Sequence, residues 1–253
     1  MIRGAAAAAG VFVALLPGVA SAATAPDPAQ LRAALADPVE SNFIEAEVGT
    51  QGTLEGPFDI NTYSDYYRLT GASDADVKLL QQHLQRDGFA GGYGREWYRA
   101  HTTDLMGELV MVFRDAAGAS ASEQASKLRT GEDQQFESFV DVSGLGAHSF
   151  AATINSTYGY RFTEVAFVKG NGLFAVSRGS VTGYQTAAAM VQARRVYANA
   201  PSSIAVPGEQ APSAAIVSGA RLALILFLIA ALAVAAIVSM VVVLRPGARA
   251  AAR

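Results

Sequence analysis

The densest group of side chains able to recognise a ligand lies between Tyr63 and Tyr98. Tyr63, Tyr66, Tyr67, Phe89, Tyr93, Trp97 and Tyr98 fall within 36 residues, with Arg68, Arg95 and Arg99 among them. Tyr, Trp and Arg dominate binding hot spots because each joins a large contact area to a polar end. Tyr93-Gly94-Arg95-Glu96-Trp97-Tyr98 follows Gly91-Gly92, in the kind of glycine loop where ligand contacts often sit. Tyr93, Arg95, Trp97, Tyr98, Tyr66 and Tyr67 are therefore the candidate ligand-binding residues. On a strand, alternation exposes one set, either Trp97 with Arg95 or Tyr98 with Glu96. That ring is expected in a groove beside one of Tyr63, Tyr66 or Tyr67. If Trp97 and its neighbours are buried instead, the cluster belongs to the core.

Catalytic patterns are sparse. The chain has no cysteine and no G-x-S-x-G, so the usual nucleophile arrangements are missing. His83, His101 and His148 stand alone in the sequence, without metal-ligand spacing, and no metal or cofactor is indicated. Gly144-x-Gly146 lacks the third glycine of a dinucleotide fingerprint. Carboxylates remain: Glu45, Glu47, Asp59, Glu96, Asp104 and Glu108 could pair in space as a hydrolase requires. The first reading is thus a non-enzymatic domain that binds a protein or a cell-envelope ligand. The alternative is a cell-envelope hydrolase using paired carboxylates. An enzyme should gather two perturbed acids in one cleft, whereas a binding module should show an aromatic surface without such a pair.

The chain that carries these residues is flanked by apolar ends. It has 253 residues, a net charge of −3 and 16% charged residues. Residues 1–22 hold only Arg3, and residues 220–253 hold four arginines and no acid. The segment between carries 14 basic and 22 acidic groups, a balance that argues against nucleic-acid binding. Met1–Ala22 has the pattern of a secretory signal: Arg3, an uncharged Ala5–Leu16, then Ala20-Ser21-Ala22 as a cleavage site. Leu222–Leu244 is 23 residues without a charge and, at about 1.5 Å per residue, is long enough to span a bilayer. RPGARAAAR follows it, so the positive-inside rule places the C-terminus in the cytoplasm. The expected protein is a single-pass type I cell-membrane protein, with its N-terminal domain outside and Leu222–Leu244 in the lipid. Ala231, Ala235 and Ser239 form a small-residue stripe that would allow helix dimerisation.

The expected domains are a signal peptide over 1–22, an extracytoplasmic domain over 23–198, a Pro/Ala/Ser stalk over 199–217, a transmembrane helix over 218–244 and a basic tail over 245–253. Within the exported part, helices are expected over Pro28–Ala36, from Ser73 to Gly88, over Ser120–Arg129 and over Thr182–Ala198. Ser73 with Asp76 makes a weak capping box. Strands are expected over Phe43–Val48, Arg95–Arg99, Leu105–Arg114, Phe136–Val142, His148–Ile154, Tyr160–Val168 and Leu173–Arg178. Lys169-Gly170-Asn171-Gly172 reads as a hairpin turn, while Gly49–Thr70 gives no clear periodicity. Phe136–Val142, Tyr160–Val168 and Leu173–Arg178 should be neighbours, with a bulge suggested at Phe162-Thr163-Glu164-Val165, where strict alternation is broken. Short links between successive strands give an antiparallel sheet flanked by helices, hence α+β.

FVDVSGLG, FTEVAFVKGNGLFAVSR and the Ala-rich final helix make Phe136–Ala198 similar to exported, membrane-anchored proteins of uncharacterised function from high-GC Gram-positive bacteria. Several of those resemble the photosystem II extrinsic subunit P-like α+β fold. The resemblance implies that fold and an exported location, and it carries no catalytic residue.

Overall fold

The computed structural model describes residues 25–48, 53–156 and 159–207, all within the first of two compact units, Met1–Glu209. Met1–Ala22, Leu222–Leu244 with its small-residue stripe, and the basic tail lie outside the described residues. Among the described residues no helix is long and apolar enough to cross a membrane. In chain order the elements are α1 (Pro28–Ala34), β1 (Phe43–Glu45), β2 (Gly56–Phe58), α2 (Ile60–Leu69), α3 (Asp74–Arg86), β3 (Phe89–Arg99) and β4 (Leu105–Phe113). Then come α4 (Ala116–Glu132), β5 (Phe136–Val140), β6 (Ser149–Asn155), β7 (Arg161–Lys169), β8 (Gly172–Ser180) and α5 (Thr186–Asn199). The architecture is α+β, with every strand pair antiparallel in one sheet of order β1-β3-β4-β8-β7-β6-β5, and β2 pairing the same outer edge of β3 as β1.

Local chemistry accounts for the element ends. Ser73 caps α3 and exchanges hydrogen bonds with Asp76 in a complete capping box. Val77, Leu80 and Leu84 form its buried stripe. The β7–β8 hairpin turns at Gly170, whose φ of 60° suits glycine. Asn171 in the same turn donates through Nδ2 to the carbonyls of Phe113 and Ile204 and accepts from the Ile204 amide. The chain after α5 therefore packs into the fold: Ala200, Ile204 and Val206 are buried, so the body continues past Asn199, where a stalk was expected to begin.

Several expectations are corrected. Gly91-Gly92-Tyr93-Gly94 is strand, not loop. Its glycines are required by close approach: a Cβ on Gly92 would lie 2.2 Å from the Phe58 ring, and one on Gly94 would lie 1.8 Å from the Leu54 carbonyl oxygen. The segment without clear periodicity holds β2 and α2, the latter capped by Asp59, which accepts from the amides of Asn61 and Thr62. Phe136–Val140 pairs only with β6 at the sheet edge and does not neighbour β7 or β8. β7 has no bulge; its register with β6 and β8 runs without a shift.

Both sheet faces are covered. Thr163, Val165 and Phe167 on β7, Phe174 and Val176 on β8, and Val110 and Val112 on β4 point to one face. They pack with α1, α5 and the segment carrying Ile204. The opposite face lies under α2, α3 and α4, with Leu80, Leu84, Met111, Phe113, Phe150 and Leu173 at its apolar end.

Candidate functional site

The register lays out the second face row by row. One cross-strand row reads Gly94, Leu109, Ala175, Ala166, Phe150 from β3 to β6. The next reads Glu96, Gly107, Ser177, Glu164, Ala152. Ala175 and Ala166 in the first row, and Gly107 and Ser177 in the second, keep the middle of the floor low. Over the hollow stand α2 and α4. Tyr63, Tyr66 and Tyr67 have the i, i+3, i+4 spacing that sets three side chains on one helix face, and all three line the cleft. From α4 and its C-terminal end come Ser126, Arg129, Thr130 and Asp133. The cleft holds about 350 Å³, within the size range of small-molecule sites.

Two carboxylates stand on its floor. The Glu96 side chain accepts a hydrogen bond from the Leu54 amide at 2.7 Å, and burial raises its pKa against that bond. Burial also raises the pKa of Glu164, and the negative charge of Asp133 adds to the effect. Among the described residues no hydrogen bond or ion pair engages the Glu164 carboxyl. Burial keeps the phenols of Tyr63 and Tyr66 protonated to high pH. The Tyr66 hydroxyl feels the charges of both Glu96 and Glu164.

The candidate residues divide between the two faces. Tyr66 and Tyr67 line the cleft. Tyr93, Arg95 and Trp97 are buried on the opposite face of β3. Arg95 donates to Glu45 at 2.8 and 3.0 Å and to Asp37 at 2.9 Å. Its guanidinium lies 4.5 Å from the Trp97 ring centroid, and Tyr93 accepts from Arg32 at 3.3 Å. The hydrogen bond from Arg95 holds the Glu45 carboxyl below the usual range. Tyr98 is exposed, as alternation with Trp97 requires, but it does not line the cleft. The expected β3 ring is therefore absent from the cleft: Tyr93, Arg95 and Trp97 belong to the core, and β3 contributes only Gly94 and Glu96 beside the α2 tyrosines.

Of the acids considered for a catalytic pair, only Glu96 presents its side chain to the cleft. Glu45 is bound to Arg95 and Arg32, Asp59 caps α2, and Asp104 pairs with Arg99 at 3.0 Å. Glu108 faces the other side, accepting from the Ala36 amide at 3.0 Å and Gln192 Nε2 at 2.6 Å. Glu164 was missed: along the chain it is a lone acid that reads as broken alternation, and only the covering of both sheet faces sets it on the cleft side. Among the described residues no three His, Asp or Glu side chains gather as a metal set.

No protein-family model matches the chain, and no curated protein matches it. Among solved structures, the extracellular domain of PknH from Mycobacterium tuberculosis is similar at a TM-score of 0.45 and 13% identity, covering 68% of this chain and 97% of that domain.

Proposed function

We propose that this protein is a non-enzymatic, membrane-anchored binding protein whose extracytoplasmic domain takes a small cell-envelope ligand into the cleft between the sheet and helices α2 and α4. The apolar ends of the sequence support the anchored topology. The observation that carries the binding reading is the built hollow, with a floor of Gly107, Ala175 and Ala166 under three tyrosines. A sheet face packed only for stability would fill those positions with large side chains.

Two perturbed acids in one cleft are what the hydrolase alternative requires, but their placement opposes it. Glu96 and Glu164 share a row with Gly107 and Ser177 between them. They are three strand spacings apart, about 14 Å between backbones. Carboxyl pairs in glycosidases stand about 5 to 9.5 Å apart, a range these two reach only if both side chains lean several ångströms toward each other along the sheet. Desolvation, the Leu54 amide and Asp133 perturb these two acids, and neither perturbs the other.

The test is native mass spectrometry of the full chain purified from its own membrane, beside an Ala175→Leu variant that fills the floor. A small molecule carried by the wild type and lost from an equally stable variant is the expected result. Retention of the same molecule by the filled variant removes the cleft as the site.

A further inference from the structure

We infer that the cleft selects a ligand with a positively charged nitrogen, an ammonium or amidinium group seated on the Glu164 carboxyl and against the rings of Tyr63 and Tyr66. This rests on the cleft reading above and adds the chemical class of its ligand.

Glu164 is held in the middle of the floor by continuous pairing on both sides, opposite Ala152 on β6 and Ser177 on β8. Those short neighbours leave its carboxyl clear toward the cleft. A partly desolvated carboxylate without a counter-charge is costly, and the described residues supply none. The groups facing it are Arg129 and Asp133 from α4 and its end, Tyr63, Tyr66 and Tyr67 from α2, and Glu96 from β3. Arg129 donates to Ser126 at 3.4 Å and makes no ion pair with Glu164. With three acids and one base, the cleft repels an anion and leaves Glu164 uncompensated beneath a neutral ligand. A cation provides the missing charge. The tyrosine rings add cation–π attraction in a site screened from water, and the carboxylate accepts a charge-assisted hydrogen bond from any N–H the ligand carries. Because burial raises the Glu164 pKa, the cation competes with a proton, and its affinity should rise with pH.

Matched probes of one shape test this: benzyltrimethylammonium, benzyl alcohol and benzoate, titrated calorimetrically against the full chain in phosphate buffer at pH 5 and pH 8. The expected result is cation affinity at least about tenfold above that of the alcohol at pH 8, tighter at pH 8 than at pH 5, with benzoate weakest. Glu164→Gln should lower cation affinity at pH 8 by about tenfold or more and remove most of its pH dependence, leaving the weaker contribution of the tyrosine rings. Equal or tighter binding of benzyl alcohol or benzoate overturns the inference, as does cation binding indifferent to Glu164→Gln. If the alcohol or benzoate binds the wild type but not the Ala175→Leu protein, the cleft stands and only its charge preference falls. If no probe binds the wild type better than the filled variant, both readings fall. Vesicles containing phosphatidylethanolamine, compared with phosphatidylglycerol alone, identify the source of the charge. Competition with the probe by the former places it on a lipid headgroup, and its absence places it on a soluble amine.

Discussion

Glu108→Gln tests the electrostatics of the face opposite the cleft. Glu108 is 3% exposed, and burial raises its pKa from the ordinary 4.5 to about 7, against the hydrogen bonds from Gln192 and Ala36. The unfolded chain releases this proton near 4.5, while the folded protein keeps it to about 7. Between those values the unfolded state binds fewer protons, so folding stability falls as pH rises and levels off above 7. At about 1.4 kcal/mol per pH unit, the interval is worth about 3 kcal/mol. Glutamine does not titrate. It also sets an amide N–H₂ against Gln192 Nε2, at a fixed cost. The observable is therefore the change in the stability difference with pH. Relative to wild type, the variant should gain about 3 kcal/mol between pH 4.5 and pH 8. Urea denaturation at several pH values reads this, with Trp97 fluorescence as the probe, since it is the one tryptophan and is buried. Glu55, Glu96, Glu123 and Glu164 also have raised pKa values, but both proteins carry them and their effects cancel. A stability difference that stays constant across this range refutes the assignment.

Trp97→Ala should destabilise the fold by about 3–5 kcal/mol, because the ring is buried under Arg95 rather than presented to a ligand; a loss below 1 kcal/mol by urea denaturation would place the ring at the surface. Tyr66→Ala should weaken ligand or probe binding by about 2 kcal/mol with the fold intact, measured by calorimetry, and unchanged affinity would remove Tyr66 from the site. Gly94→Ala should cost about 1–3 kcal/mol or more in thermal or urea denaturation, since its Cβ would collide with the Leu54 carbonyl in the segment just before β2; a neutral result would show that this segment moves freely.

What could be read from the sequence was local. The Ser73–Asp76 box, the Val77–Leu80–Leu84 stripe and the Gly170 turn each follow from residues within one element, and each stands where expected. Elements defined by distant partners were not legible. β2 is three residues long and exists by pairing with Gly92–Gly94. Those glycines look like a loop until Phe58 and Leu54 are laid on them. α2 has the sequence INTYSDYYRL, whose tyrosines read as surface or loop residues unless the sheet beneath is known. The aromatic cluster was visible as a cluster, but its division between two faces was not, because burial of Arg95 depends on Glu45 and Asp37 arriving from another part of the chain.

Glu164 shows why the site itself stayed hidden. Read with one buried face, Phe162-Thr163-Glu164-Val165 breaks alternation and calls for a bulge. Read with two, it alternates regularly: Thr163, Val165 and Phe167 go to the core of α1 and α5, while Phe162, Glu164, Ala166 and Val168 go to the side of α4. The same phase holds on the neighbouring strands, where Phe174 and Val176 flank Ala175, and Glu108 and Val110 flank Leu109. Large residues line the packed face of β7 and β8, while Gly107, Ala166, Ala175 and Ser177 make the low part of the cleft floor, with Leu109 and Phe150 at its sides. A gap is specified by what is missing. Glycine and alanine at successive register positions attract no notice along the chain, yet side by side they hold a space open, and the acid set among them has no structural use in an empty cleft. A buried carboxylate that costs folding free energy at neutral pH, in a hollow that forgoes packing, is what a binding site requires and a core does not.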